Sequence, residues 1–148
     1  MDIESRPSFS ARDESRGARD GRRELGRRGE QLAGRHLRRL GFSVLARNVR
    51  TRHGEIDLIV FDGESLVFVE VKALRATARS ARASGELSDP LRNLRPAQRM
   101  RLRRLAAAWL ADAGAARPTA GEIRFDAIGV TVDEHDRLLA LEHLEAAW

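Results

Sequence analysis

Residues 54–72 read GEIDLIVFDGESLVFVEVK, and this stretch leaves the chain few ways to fold. Two apolar runs, 55–61 and 66–72, flank Asp62-Gly63-Glu64-Ser65, a composition that marks a turn. Strand side chains alternate between faces, so the matching of apolar residues sets the register of such a hairpin. With 62–65 as the loop, Phe61 opposes Leu66, Val60 opposes Val67, Ile59 opposes Phe68, Leu58 opposes Val69 and Ile56 opposes Val71. A tighter turn centred on Asp62-Gly63 sets Asp57 against Phe68 and Glu55 against Glu70, a poorer match in polarity. The better register puts Asp57 opposite Glu70 and Glu55 opposite Lys72.

Asp57 and Glu70 thus stand side by side, which is unfavourable for like charges. Their face also carries Ile59, Phe61, Leu66 and Phe68, and buried charges need partners or a metal. Two hard oxygen ligands without His or Cys suit Mg²⁺ or Mn²⁺ rather than Zn²⁺. Such an ion polarises a phosphoryl oxygen and activates a water. Lys72 is the only lysine among 27 basic residues, and it shares the face of Glu70. Lysine is a compact charge whose pKa shifts readily on burial, whereas arginine stays charged. It therefore suits stabilising a pentavalent phosphoryl transition state or helping to deprotonate the water. The plainer alternative for Lys72 is a cross-strand ion pair with Glu55. Glu30 borders the apolar stripe of the helix before the hairpin, from where it can reach the sheet and hydrogen-bond a water of the ion.

Around the hairpin, Leu25, Leu32, Ala33, Leu37 and Leu40 recur at helical spacing, predicting a helix over 24–40 that ends at Gly41. Residues 42–49 read as a first strand. Pro96 suits the first turn of a second helix with the stripe Leu102, Leu105, Ala106, Trp109 and Ala113. Strands follow at 122–132 and 137–142. The order is α-β-β-β-α-β-β, an α/β (α+β) fold with a mixed central sheet flanked by helices. Residues 1–21 read as a disordered tail and 22–148 as a single domain, with a mobile basic loop at about 75–95.

The chain has no run of about 18 apolar residues, no apolar core to its first residues and no cysteine. We expect a cytoplasmic protein without a membrane span or a secretory signal. The acidic hairpin, with five carboxylates and one lysine, lies between two basic segments. Residues 21–53 hold ten arginines against two acids, and 73–104 hold nine against two. Arginines that neutralise phosphates release counterions, so a nucleic acid is the expected partner. Arg50, Arg52, Arg75, Arg99, Arg101 and Arg104 are the expected phosphate contacts, which give affinity but little sequence specificity. Aromatic residues make up 5% of the chain, which argues against a base-stacking platform for single strands.

A carboxylate on one strand followed by Glu-x-Lys on the next, here Asp57 with Glu70-Val71-Lys72, resembles the PD-(D/E)XK nuclease superfamily. The wider string is closer still to the YraN family, which is similar to archaeal Holliday-junction resolvases. It comprises GRRGEQLAGRHLRRLGFSVLARNVR (26–50), GEIDLIVFDG (54–63), LVFVEVKALR (66–75), RPAQRMRLRRLAAAWL (95–110) and RFDAIGV (124–130). The resemblance implies a restriction-endonuclease-like core, α-β-β-β-α-β. It implies that Glu30, Asp57, Glu70 and Lys72 form the catalytic site, with the Val71 carbonyl as a further ligand and Glu30 acting through water. It also draws attention to Arg124, Phe125 and Asp126, where sheet packing around a buried Asp is the simpler reading. Leu74, Gln98 and Arg92 depart from the family pattern. The implied activity is metal-dependent endonucleolytic cleavage of DNA, including branched or junction DNA, and resolvase-like relatives pair as homodimers. The alternatives are a nucleic-acid-binding module of the same fold without turnover, and an interaction protein whose arginines meet acidic protein.

Overall fold

The computed structural model describes residues 11–80, 89–92, 94–113 and 116–148. The elements run α1 (Ala11–Arg39), β1 (Ser43–Thr51), β2 (Gly54–Phe61), β3 (Ser65–Arg75), α2 (Pro96–Ala113), β4 (Glu122–Val132) and β5 (Leu138–Leu144). The strands form one mixed sheet in the order β1-β2-β3-β4-β5. The β3–β4 pair is parallel and the other three are antiparallel. A parallel pair requires a crossover, and α2 supplies it. The first six elements are the α-β-β-β-α-β core of the restriction-endonuclease-like fold, and β5 extends it at one edge.

Each face of the sheet is covered by one helix. Leu32, Ala33 and Leu37 of α1 pack with Leu58, Val60, Val67, Val69, Ile128 and Val130. Leu102, Leu105 and Ala106 of α2 pack with Ile56, Ile59, Leu66 and Phe68 on the other side. Phe68 is fully buried and stacks on Phe125, with Trp109 edge-on to it. Covering both faces explains why the two hairpin strands are almost continuously apolar.

The hairpin register is the expected one at four apolar pairs, Phe61↔Leu66, Val60↔Val67, Ile59↔Phe68 and Leu58↔Val69, but the expected Ile56↔Val71 pair does not form. Asp62 Oδ1 closes the turn by accepting the N–H groups of Glu64 (3.0 Å) and Ser65 (2.7 Å), and Gly63 supplies φ 104°. The pairing of β2 with β3 runs no further than Leu58↔Val69. The cross-strand ion pair of Glu55 with Lys72, the plainer alternative for Lys72, does not form. Glu55 instead meets Arg50 of β1 at 3.9 Å, and Lys72 meets Glu70.

Two further expectations change. Residues 11–21, read from sequence as part of a disordered tail, lie within α1. Arg, Ala and Glu favour helix, and a helix already nucleated by its packed half propagates outward at little cost. Residues 1–10 lie outside the described residues. Of the basic loop expected at 75–95, residue 75 ends β3, 78–80 are helical, and 81–88 and 93 lie outside the described residues. Among the described residues no helix is long and apolar enough to cross a membrane.

Candidate active site

The site lies where β2 leaves β3. In a regular strand, residues three apart face opposite ways. Yet Ile56 and Ile59 of β2 lie in one apolar cluster with α2, and so do Ala46 and Val49 of β1. Both strands therefore slip by one position at the same level. Between the pairs Arg47↔Leu58 and Val49↔Ile56 lie Asn48 and Asp57, and Asn48 has φ 48°. Such irregularities re-aim side chains next to functional sites. Here the slip frees Asp57 from the ladder, and its Oδ2 accepts the N–H of Val71 at 2.8 Å. The carboxylate is thus tied to the strand that carries Glu70 and Lys72.

Glu70 is buried, and its Oε1 takes the Lys72 ammonium at 3.1 Å. Glu30 comes down from α1 and shares a cleft with Asn48. Its approach depends on the preceding residue: a Cβ on Gly29 would lie 2.7 Å from the Ala73 Cβ. Gly29 lets α1 lie against β3, and Glu30 sits at the edge of that contact. Glu30, Asp57, Glu70 and Lys72, taken from three elements, are therefore brought together.

This crowding is visible in proton affinity. Burial, then the Glu70 and Glu30 charges, raise Asp57 from its ordinary 3.8 to about 7, against the opposing pull of the Val71 N–H and Lys72. Burial also raises Glu30, with Glu55 adding to the shift and Asn48 and Arg47 opposing it. The folded protein consequently holds a proton on Asp57 that the unfolded chain releases from about pH 4 upward. The stability from this group is full below pH 4 and is lost as pH rises through 7. In chelator-containing buffer, Asp57→Asn keeps the acceptor for Val71 and is expected to flatten that decline. Its gain over wild type should reach about 1–3 kcal/mol near pH 8 and vanish near pH 4. Urea titrations at the two pH values measure it, and an equal offset at both would show that charge is not the cause.

Asp57 and Glu70 are hard oxygen donors close enough to repel, in a partly buried place where a cation could stand in for the proton. Mg²⁺ commonly takes only one or two carboxylates and keeps its waters. The donor set fits such an ion, although among the described residues no three His, Cys, Asp or Glu side chains form a metal-ligating group.

The expected phosphate-binding arginines divide. Arg50, Arg52, Arg101 and Arg104 are exposed. Arg75 is engaged by Asp136 at the β4–β5 turn. Arg99 lies over the Trp148 ring, 5.8 Å from its centroid. Arg124 and Asp126 fall to the simpler reading: Asp126 is fully buried and paired with Arg124. Two features were missed from the sequence. Asn48 gave no signal, because its role comes from a strand irregularity. Arg23 and Arg27 line a cleft of about 640 Å³ with Gly26, Glu30, Asn48, Arg50 and Glu55. Their helical spacing ahead of Glu30 was the available signal.

The model of the uncharacterised protein family UPF0102 matches residues 29–130, which include all four residues of the site. A UPF0102 protein of Acidothermus cellulolyticus is 38% identical over 127 residues, covering 81% of this chain and 90% of that protein. One from Pelotomaculum thermopropionicum is 40% identical, covering 87% and 98%. One from Anaeromyxobacter dehalogenans is 40% identical, covering 87% of each.

Proposed function

Since the chain belongs to the uncharacterised protein family UPF0102, the family expected from its sequence under the name YraN, its site has to speak for its chemistry, and we propose that it is a metal-dependent endonuclease acting on DNA, including branched DNA. The observation that carries this reading is the Asp57–Glu70–Lys72 constellation at the opening of β2 and β3, with Lys72 3.1 Å from Glu70. Asp57 and Glu70 would hold Mg²⁺ or Mn²⁺, with the Val71 carbonyl as a further ligand and Glu30 bonding through water. When bound, the ion supplies a Lewis acid for the phosphoryl oxygen and lowers the pKa of a water. The Val71 N–H keeps Asp57 oriented. Lys72 brings a compact positive charge beside the position a phosphoryl group would take. Exposed Arg50, Arg52, Arg101 and Arg104 would hold the phosphate backbone.

The ion pair that engages Glu70 favours a second reading, a nucleic-acid-binding module without turnover. Cleavage of labelled four-way junction, flap and linear duplex DNA with Mg²⁺ or Mn²⁺ separates the two. Wild type is expected to cut at least one substrate, while Lys72→Ala binds it but cuts at least about a hundredfold more slowly. Binding by both proteins with cutting by neither would hand the function to the second reading. Binding by neither would remove nucleic acid as the partner.

A further inference from the structure

The 29 residues of α1 make a helix of about 43 Å, longer than the sheet can cover. Packing begins at Leu25; residues 14–24 are exposed on every side. An isolated projecting helix loses nothing by being polar, but this one is not polar at random. Arg16, Arg19, Arg23 and Arg27 are spaced by three, four and four residues. At 100° per residue they fall within a sector of about 80°, and Glu30 falls in the same sector. The acids Glu14, Asp20 and Glu24 lie outside it. All four arginines are exposed, and none forms an ion pair with a described residue. Arg19 alone is engaged, by Ser15 one turn earlier.

The cleft fixes where this stripe leads. Arg23 and Arg27 form one wall; Asn48, Arg50 and Glu55 form the other; Glu30 stands between them. Gly26 also lines the cleft, and a Cβ built on it would meet nothing within 4 Å. The stripe therefore runs from the uncovered part of α1 into the cleft and ends at the residue that borders Asp57.

We infer that the projecting half of α1 is a phosphate-tracking arm, whose Arg16, Arg19, Arg23 and Arg27 follow the backbone of a nucleic-acid duplex leaving the site through the cleft. The inference rests on the nucleic-acid reading above and adds a direction to it. The substrate, held on one side of the site by Arg101 and Arg104 of α2, must continue on the other as duplex along α1. From Arg16 to Arg27 the arm spans about 17 Å, close to five base pairs. Arginine suits this role because its forked guanidinium meets phosphate oxygens in pairs.

The test is binding of labelled duplexes of graded length at several salt concentrations in chelator. For wild type the slope of log K against log salt should exceed that of R16Q/R19Q/R23Q/R27Q by about three to four. The affinity of the variant should fall at least about tenfold and stop rising with duplex length about five base pairs earlier. R23Q/R27Q and R35Q/R39Q remove equal charge from the same helix, and only the first should lower the slope. Circular dichroism checks that glutamine preserves the helix. If wild type binds and the two double variants are indistinguishable, the arm is a solvated helix and the inference fails while the proposed function stands. If wild type binds no DNA, both fall. Loss of binding to anionic vesicles rather than to DNA would reassign the stripe to a membrane surface and overturn the inference.

Discussion

Glu70→Gln is expected to cut DNA at least about a hundredfold more slowly than wild type and to bind it equally well or more tightly. Gln is nearly isosteric, so the buried β3 position keeps its packing, and only charge and ligating power are lost. Three consequences follow from that one change. The pair with Asp57 can no longer hold a divalent ion. Repulsion between the Glu70 carboxylate and substrate phosphate disappears, so affinity is kept or improved. The second-largest upward influence on Asp57 is also removed, so the loss of stability with rising pH should be smaller and complete at a lower pH than in wild type. Cleavage and binding assays on the same junction and duplex substrates, with urea titrations across pH 4–8, read all three. Cleavage within tenfold of wild type would refute the assignment of Glu70, and weaker binding would mean that Glu70 organises the arginines rather than the chemistry.

Asp126→Ala should cost about 3–5 kcal/mol of folding stability. Asp126 has no exposed surface. Burial alone would raise its proton affinity, but His143, Arg124 and the Ala146 N–H together hold it below the usual carboxylate value. Arg124 meets both oxygens, at 2.8 and 2.9 Å; His143 Nε2 lies 2.7 Å away and the Ala146 N–H 3.0 Å. His143 in turn meets His36 of α1 at 3.0 Å. Removing the carboxylate leaves the Arg124 guanidinium largely buried without its acceptor and unties α1 from β5. A domain of this size has about 5–15 kcal/mol to lose, so this is a severe lesion. Urea denaturation measures it. Arg124→Met/Asp126→Leu, which removes both charges, should be much milder than Asp126→Ala alone. A cost below about 1 kcal/mol for Asp126→Ala would show that the network is not what fastens β5 to the domain.

The hairpin was legible because its register follows from local pattern: eight apolar residues can face one another in only one good way, and they do. The same holds for α2, whose Leu102, Leu105 and Ala106 recur at the helical period and are buried. The grouping of Glu30, Asp57, Glu70 and Lys72 was legible through parity and resemblance. Extending the regular ladder to Asp57↔Glu70 and Glu55↔Lys72 was too simple. Alternation predicts faces only while a strand stays regular, and no local rule announced the slip at Asn48 and Asp57. Asp57 turned to the Val71 N–H, and the cross-strand partner of Glu55 became Arg50.

By itself the sequence determined the two apolar runs, the turn between them, the second helix, the order of elements and the four residues brought to one place. These rest on periodicity, on side-chain chemistry that each residue carries with it and, for the grouping of the four, on resemblance. Tertiary structure alone decided where α1 stops being covered, which arginines are spent on Asp136 and Trp148, and how Gly29 admits Glu30 to the sheet edge. Those depend on distances between residues far apart in the chain, and such distances exist only once both faces of the sheet are packed.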